Sequence, residues 1–412
     1  MNTQFADAEF QFGLEIALGA AYRQASDVGE ALATAGRITD GDADSWVNEW
    51  TATAEVCEAA GAEAQSADRR VSALCYYRRA ATYYATALYR FSGATDHSPE
   101  RELELWRRQR ACWERVVDLQ AVPGERISIP YEDTTLAGFF FRAPDAAPGE
   151  RRPLVVMNNG SDGATSAMWL EGGAAAAERG YHWMTFDGPG QQAALYEQNI
   201  PFRHDWEAVL TPVLDAILPR PDVDEDHVAL IGVSQAGYWV PRAIAFEHRF
   251  AAAVADGGVV DVSAGWLNHL PDTMRKQLSN GDRDVFDREM QVAESRSPAA
   301  KATLDFRAKP YGFNGGSRFD LYQEVASYRL GDEVSDITTP LLITDPDDEQ
   351  FFPGQPQQLY DLVPGAKKLI RFTAHEGANG HCEPMARSLR DTRIFDWLEG
   401  YLREDVRSLH PR

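Results

Sequence analysis

The chain has 412 residues, 44% of them hydrophobic and 25% charged, a balance that excludes wholesale disorder. The length allows two or three domains, or one large domain carrying insertions. With 40 Lys and Arg against 63 Asp and Glu, the net charge is −23, so phosphate backbones and anionic lipid are repelled and neither nucleic acid nor a membrane surface is an expected partner.

The first residues, Met1 to Glu9, have no basic stretch followed by an apolar core, so a signal peptide is not expected. No run reaches about 18 uncharged apolar residues, the length a spanning helix needs. Cys57, Cys75, Cys112 and Cys382 form no CxxC pair, which predicts reduced, mostly buried thiols in a cytoplasmic protein.

Residues 1–122 read as an all-helical domain. Asp42 is placed to cap a helix whose apolar face carries Trp46, Trp50, Ala54 and Cys57. A second long run places Leu74, Tyr77, Ala81, Tyr84 and Leu88 on one face, read as packing between helices. Ser92–Pro99 breaks that run, and a third helix follows through Leu105, Cys112 and Val116.

The texture changes at Val122-Pro123-Gly124, where a second domain, 123–412, begins. Residues 125–142 read as two strands joined by a tight polar turn. Strands at 153–157, 182–186, 227–231, 250–255, 340–344 and 367–372 then alternate with helices, including 202–217, one from about Gln235, and 385–402. Continuous apolar strands between helices predict an α/β architecture, a mostly parallel sheet covered on both faces. A polar, partly helical insertion at about 261–332 reads as lid material.

The strongest chemical signal is Gly232-Val-Ser234-Gln235-Ala236-Gly237 between a buried strand and a helix. Small residues two before and two after the Ser allow a tight, strained turn that lifts its hydroxyl above the sheet. The arrangement resembles the nucleophile elbow of α/β-hydrolases. The N–H of Gln235, at the start of the helix, then faces a developing oxyanion. Asn158-Asn159-Gly160-Ser161-Asp162-Gly163 follows an earlier strand, and the resemblance implies that this loop supplies the second oxyanion N–H, from Ser161 or Asp162. Asp187-Gly-Pro-Gly-Gln191 is read as a structural turn.

A serine hydroxyl needs a base, and the base needs an acid to hold its tautomer. The family order is Ser, acid, His. His381 follows Gly380 past the last strand and is preferred to His375. Asp345, Asp347, Asp348 and Glu349 follow the strand that opens at Pro340. In these enzymes the acid stands about nine residues after that Pro and about four before the Pro of the next helix. Counted from Pro340 and from Pro353, both anchors select Glu349, with Asp348 in reserve. No His accompanies these four carboxylates, so no metal is expected.

The order of elements resembles an α/β-hydrolase fold with an N-terminal helical cap. More narrowly it resembles the group containing the dihydroxypseudooxynicotine hydrolase and fungal polyketide-shortening hydrolases, in the helical segment, the elbow, Glu349-Gln-Phe-Phe-Pro-Gly-Gln355 and Glu376-Gly-Ala-Asn-Gly-His381-Cys382. The acid in that group is typically Asp, where this chain has Glu. The resemblance implies a cofactor-free hydrolase acting on C–C, ester or amide-like bonds of a small-molecule substrate, and self-association as a homodimer through the helical segment. Asp256, ending a strand, is read as touching substrate, steadying the Ser234 turn, or capping. Asp162, Trp266 and His269 are candidates for the substrate pocket. An acyltransferase on the same residues, or a silent ligand-binding scaffold, stays open at this point.

Overall fold

The computed structural model describes residues 3–403. Of the two expected domains, residues 1, 2 and 404–412 therefore lie outside the described residues. Five helices come first: α1 (Ala8–Gly19), α2 (Val28–Ala35), α3 (Ala43–Ser66), α4 (Arg70–Tyr89) and α5 (Pro99–Leu119). Asp42 caps α3 by accepting the Asp44 and Ser45 N–H groups, which satisfies donors that a helix start leaves free. Trp46, Trp50, Ala54 and Cys57 are all buried, as their spacing predicts.

The sheet then forms from β1 (Glu125–Tyr131), β2 (Thr134–Phe141), β3 (Arg152–Asn158), β4 (His182–Phe186), β5 (Val223–Val233), β6 (Ala252–Asp256), β7 (Leu341–Pro346) and β8 (Lys367–Phe372). Its order is β1-β2-β4-β3-β5-β6-β7-β8. The β1–β2 hairpin and the β2–β4 pair are antiparallel; every pair from β4 to β8 is parallel. Between the strands lie α6 (Ala174–Glu178), α7 (Gln192–Tyr196), α8 (Glu207–Ile217) and α9 (Ala236–Ile244). Five helices separate β6 from β7: α10 (Ala264–Leu267), α11 (Asp272–Asn280), α12 (Arg283–Arg296), α13 (Pro298–Ala308) and α14 (Arg318–Ala326). Asp261 and Arg329 pair as a β-bridge at the base of this insertion. The last helices are α15 (Gln355–Leu362) and α16 (Arg387–Leu402).

Alternation along the strands divides the interior into two layers. Val155, Met157, Trp183, Ile231 and Val254 face one way, in a core shared with Trp46 and Trp113 of the leading helices and with Phe395 and Leu398 of α16. Leu154, Val156, Met184, Leu230 and Ile343 face the other way, against Val209, Leu210 and Val213 of α8 and Trp239 and Val240 of α9. The helical segment thus covers the sheet through one continuous core, with Trp113 packed edge-on against Phe139 at 6.1 Å. The insertion has a small core of its own around Phe286, Phe319 and Tyr322.

One expected helix is shorter than its pattern. The run predicted from Phe202 starts only at Glu207. The Phe202 N–H donates instead to the Pro310 carbonyl of the insertion at 2.7 Å, and Arg203 pairs with Asp205, so tertiary contacts hold this stretch out of the helix. Among the described residues, no helix is long and apolar enough to cross a membrane.

The N-terminal helix touches the C-terminal part of the chain with no room to spare. A Cβ on Gly19 would lie 1.7 Å from the Pro384 carbonyl oxygen. Gly19→Ala is therefore expected to push α1 off the 380–386 loop and to lower stability by about 1–3 kcal/mol, read as a reduced midpoint in urea melts.

Candidate active site

Strand β5 ends at Val233, and the backbone turns at Ser234 into the left-handed region (φ 59°) before α9 begins at Ala236. A non-glycine residue there is strained and persists only when its surroundings over-determine it. Two hydrogen bonds and two close glycine contacts do so. The Ser234 N–H donates to the Asp256 carbonyl at 2.7 Å, and the Gly237 N–H closes the turn on the Ser234 carbonyl at 2.7 Å. A Cβ on Gly232 would meet Val240 Cγ2 at 2.4 Å, and one on Gly237 would meet the Gly257 carbonyl oxygen at 1.8 Å. The small residues of the motif are thus steric requirements, and Ala236 satisfies its position with its methyl fully buried.

The structure brings the three separately chosen residues together. His381 Nε2 lies 2.8 Å from Ser234 Oγ, and His381 Nδ1 lies 2.7 Å from Glu349 Oε2. A carboxylate can only accept, so Nδ1 carries the proton and Nε2 is left to accept from the serine hydroxyl. The second Glu349 oxygen accepts the N–H groups of Phe351 (2.9 Å) and Phe352 (3.1 Å). Burial pushes the Glu349 carboxyl up, but the His381 ring and these backbone donors outweigh it and hold it below the usual glutamate range. Gly257 beside them (φ 30°) stands in a backbone conformation that residues with a side chain rarely adopt, and a Cβ there would be in van der Waals contact with Glu349 Oε2 at 3.4 Å.

The other acids point elsewhere. Asp347 pairs with Arg371 at 3.1 Å, and Asp348 is exposed and accepts from the Asn379 amide. His375 is exposed in a short 3-10 turn. Among the described residues, no group of three His, Cys, Asp or Glu side chains is disposed to hold a metal ion.

Above the serine, a Cβ on Gly160 would stand 3.5 Å from Ser234 Oγ, so the loop after β3 closes directly over the hydroxyl. Gln191 holds that loop by donating its amide to the carbonyls of Asn159 (2.7 Å) and Gly160 (2.8 Å). Asp187, buried, accepts from Thr165 and pairs with Arg110 of α5, tying the same loop to the helical segment. The Gly160 N–H is satisfied by its neighbour's Asn159 Oδ1, whereas the N–H groups of Ser161 and Gln235 donate to no protein acceptor among the described residues. Two backbone donors, one on the loop over the serine and one on the residue after it, thus stay without a protein acceptor among the described residues.

Of the roles read for Asp256, its placement favours the steadying one. Its side chain is fully buried, accepting from Thr344 and pairing with Arg390, so it does not reach substrate. Its carbonyl steadies the Ser234 turn instead. Asp162 is exposed on the oxyanion loop, where it accepts from Ser161 Oγ. His269 is exposed, and Trp266 is half-buried, packing edge-on against Tyr311 at 5.4 Å. Sequence reasoning missed Tyr311 and Phe351. The Tyr311 hydroxyl donates to Gln235 Oε1 at 3.2 Å, bringing the insertion to the residue after the serine. The Phe351 ring stands edge-on to His381 at 4.8 Å and also meets Phe12 of α1. Only the aromatic pair after Glu349 could have signalled it. A cavity of about 260 Å³ between α1 and the histidine loop, lined by Glu15, Gly377, Asn379 and Pro384, contains none of the three reacting side chains.

The two candidate acids are separable by experiment. Glu349→Gln keeps the shape, but its amide oxygen stays with the Phe351 and Phe352 N–H groups and turns an NH2 donor toward Nδ1, reversing the imidazole tautomer, so turnover should fall by about 10³–10⁴-fold. Asp348→Asn should leave turnover within about threefold, because that side chain faces solvent. Steady-state kinetics on one activated ester checks both.

No family model matches the chain. Individual proteins do. Hydrolase acrC of Aspergillus aculeatus is 32% identical over 66% of this chain and 68% of its own length. The alpha/beta hydrolase psoB of Aspergillus fumigatus is 27% identical over 96% of this chain and 93% of its own. Among solved structures, the 2,6-dihydroxy-pseudo-oxynicotine hydrolase superposes with a TM-score of 0.70 over 93% of this chain and 95% of its own, at 18% identity, a likeness of fold. With its strand order and its helical segment ahead of the sheet, the chain belongs to the α/β-hydrolases and is a hydrolase.

Proposed function

We propose that the chain is a cofactor-free serine hydrolase that opens a carbonyl substrate with Ser234 as nucleophile, His381 as base and then acid, and Glu349 as the orienting carboxylate. The observation that carries this reading is the continuous hydrogen-bonded relay from Glu349 through His381 to Ser234 Oγ. In the first step Ser234 Oγ attacks the carbonyl carbon while its proton passes to His381 Nε2. The imidazolium so formed is stabilised by Glu349, whose carboxyl is held low by the ring and by two backbone donors against the upward push of burial. The carbonyl oxygen, now an oxyanion, is received by the N–H groups of Gln235 and Ser161, an effect worth about 10²–10³ in rate per donor. His381 then delivers its proton to the leaving atom, and water reverses the sequence on the acyl-enzyme.

The leaving atom is a carbon or an oxygen. A carbon leaving group needs an electron sink, such as a ketone one atom away. Aromatic rings near the serine favour a flat, conjugated partner. Half-buried Tyr311 reaches Gln235 and meets half-buried Trp266 edge-on, and the exposed Phe351 ring stands over His381. We therefore read the substrate as an aryl or ketide-like ketone or ester.

A fluorophosphonate probe should label the wild-type protein, and Ser234→Ala should abolish the label. Absence of labelling in the wild type would favour a silent ligand-binding protein. Aryl β-diketones should turn over faster than short aliphatic esters, and the reverse ranking would overturn the substrate reading. Products formed in the presence of added alcohols separate hydrolysis from acyl transfer.

A further inference from the structure

A buried ionic cluster lies directly behind the catalytic loop. Asp256, at the end of β6, is fully buried and pairs with Arg390 of α16. Arg390, also fully buried, donates to the Glu171 carbonyl at 2.8 Å and lies 3.4 Å from its carboxylate. Glu171 belongs to a π-helical turn, Trp169–Gly173, and also meets Arg387. Asp391 joins Arg23 from the N-terminal segment at 2.8 Å. Glu383, two residues after His381, is fully buried and lies 3.8 Å from Arg390 Nε. Four carboxylates (Asp256, Glu171, Glu383, Asp391) thus face three guanidinium groups (Arg23, Arg387, Arg390).

An uncompensated charge in such a place costs several kcal/mol, so the excess acid is relieved by holding one proton. Glu383 is the acid to hold it. Neither of its oxygens receives a hydrogen bond from any donor in the described residues, whereas Asp256 accepts from Thr344 and Arg390, Glu171 from Arg387, and Asp391 from Arg23. Burial first, and then the neighbouring Asp256 carboxylate, push the Glu383 carboxyl well above the usual range, and Glu171 adds to this while Arg390 opposes it. Burial also pushes Asp256 up, but Arg390 and its hydrogen bonds win and hold it low. Two adjacent acids driven in opposite directions are an acid and its acceptor. Asp391 is raised as well, by burial, yet keeps its Arg23 partner.

We propose that Glu383 is a positioning residue that keeps its proton at neutral pH and donates it to the Asp256 carboxylate, clamping the histidine loop to the nucleophile turn. The backbone around it supports a clamp. Cys382 (φ 56°) and Glu383 (φ 47°) both stand in the left-handed region, a strained conformation that must be held from outside. The Asp256 carbonyl receives the Ser234 N–H at 2.7 Å and the Cys382 thiol at 3.4 Å, so one residue meets both halves of the reacting pair.

Glu383→Gln is the test, because its amide can donate to Asp256 as the protonated acid does, without a proton to lose. A carboxyl raised in the folded state gives its full stability below the ordinary glutamate value and loses it as pH rises toward the raised value. Thermal unfolding of the wild type should therefore fall relative to Glu383→Gln between pH 5 and pH 8, leaving the variant about 2–4 °C more stable at pH 8. The fluorophosphonate labelling rate of the variant should stay within threefold of wild type. Glu383→Ala should label about tenfold or more slowly, with the glutamine variant restoring the rate. If Glu383→Gln is instead destabilised equally at every pH, Glu383 is an ionised partner of Arg390 and the proposal fails. If both variants label like wild type, Glu383 does not position the histidine. Only the labelling readouts rest on the proposed serine chemistry; the melting comparison stands without it, and needs the glutamine variant alone should the alanine variant not fold.

Discussion

The backbone bend at Ser234 is the constraint on which the rest of the molecule depends. A left-handed serine between a strand and a helix is unfavourable by itself. It is kept by an N–H bond to the end of the neighbouring strand and by glycines that let Val240 and the Gly257 carbonyl close in. That closure fixes where β6 must end, and β6 in turn sets Asp256 against α16. The site is thus a by-product of packing: the chain cannot relax the turn without pulling strand, helix and histidine loop apart together.

Around that bend, the residues that close on Ser234 come from three loops at the C-terminal ends of parallel strands, where open α/β sheets present their ligands. Glu349 follows β7, His381 follows β8 and Gly160 follows β3. Each is locked by a different local device. Glu349 is held by two backbone donors, the oxyanion loop by the Gln191 amide, and the histidine by a ring of phenylalanine on its open side. The short segment Lys309–Tyr311 ties the insertion across this face. Lys309 pairs with buried Glu102 of α5 at 2.9 Å, the Pro310 carbonyl takes the Phe202 N–H, and Tyr311 meets Gln235.

Much of this could be read from residues whose requirements are local. Gly232, Ala236 and Gly237 declare a cramped turn wherever they occur between a strand and a helix, and prolines 340 and 353 bracket the acid closely enough to choose it. The strands were legible because a buried parallel sheet leaves uninterrupted apolar runs. What stayed hidden depends on partners far away in the chain. Asp256 reads as a strand-end acid until Arg390, 134 residues on, is seen to face it. Phe202 fits a helical pattern until Pro310 takes its N–H. Tyr311 sits in a polar insertion with no periodic signal, and only the fold brings it to Gln235.

The interlock between Gly19 and Pro384 carries a consequence for how the chain reaches its native state. The end of α1 is seated directly on a loop more than 360 residues further along the chain. Until that loop arrives, Phe12 and Arg23 lack the Phe351 and Asp391 they meet in the finished protein. Contacts of such long sequence separation form late and slowly. The segment that carries His381 therefore settles against α1 among the contacts of longest sequence separation in the fold.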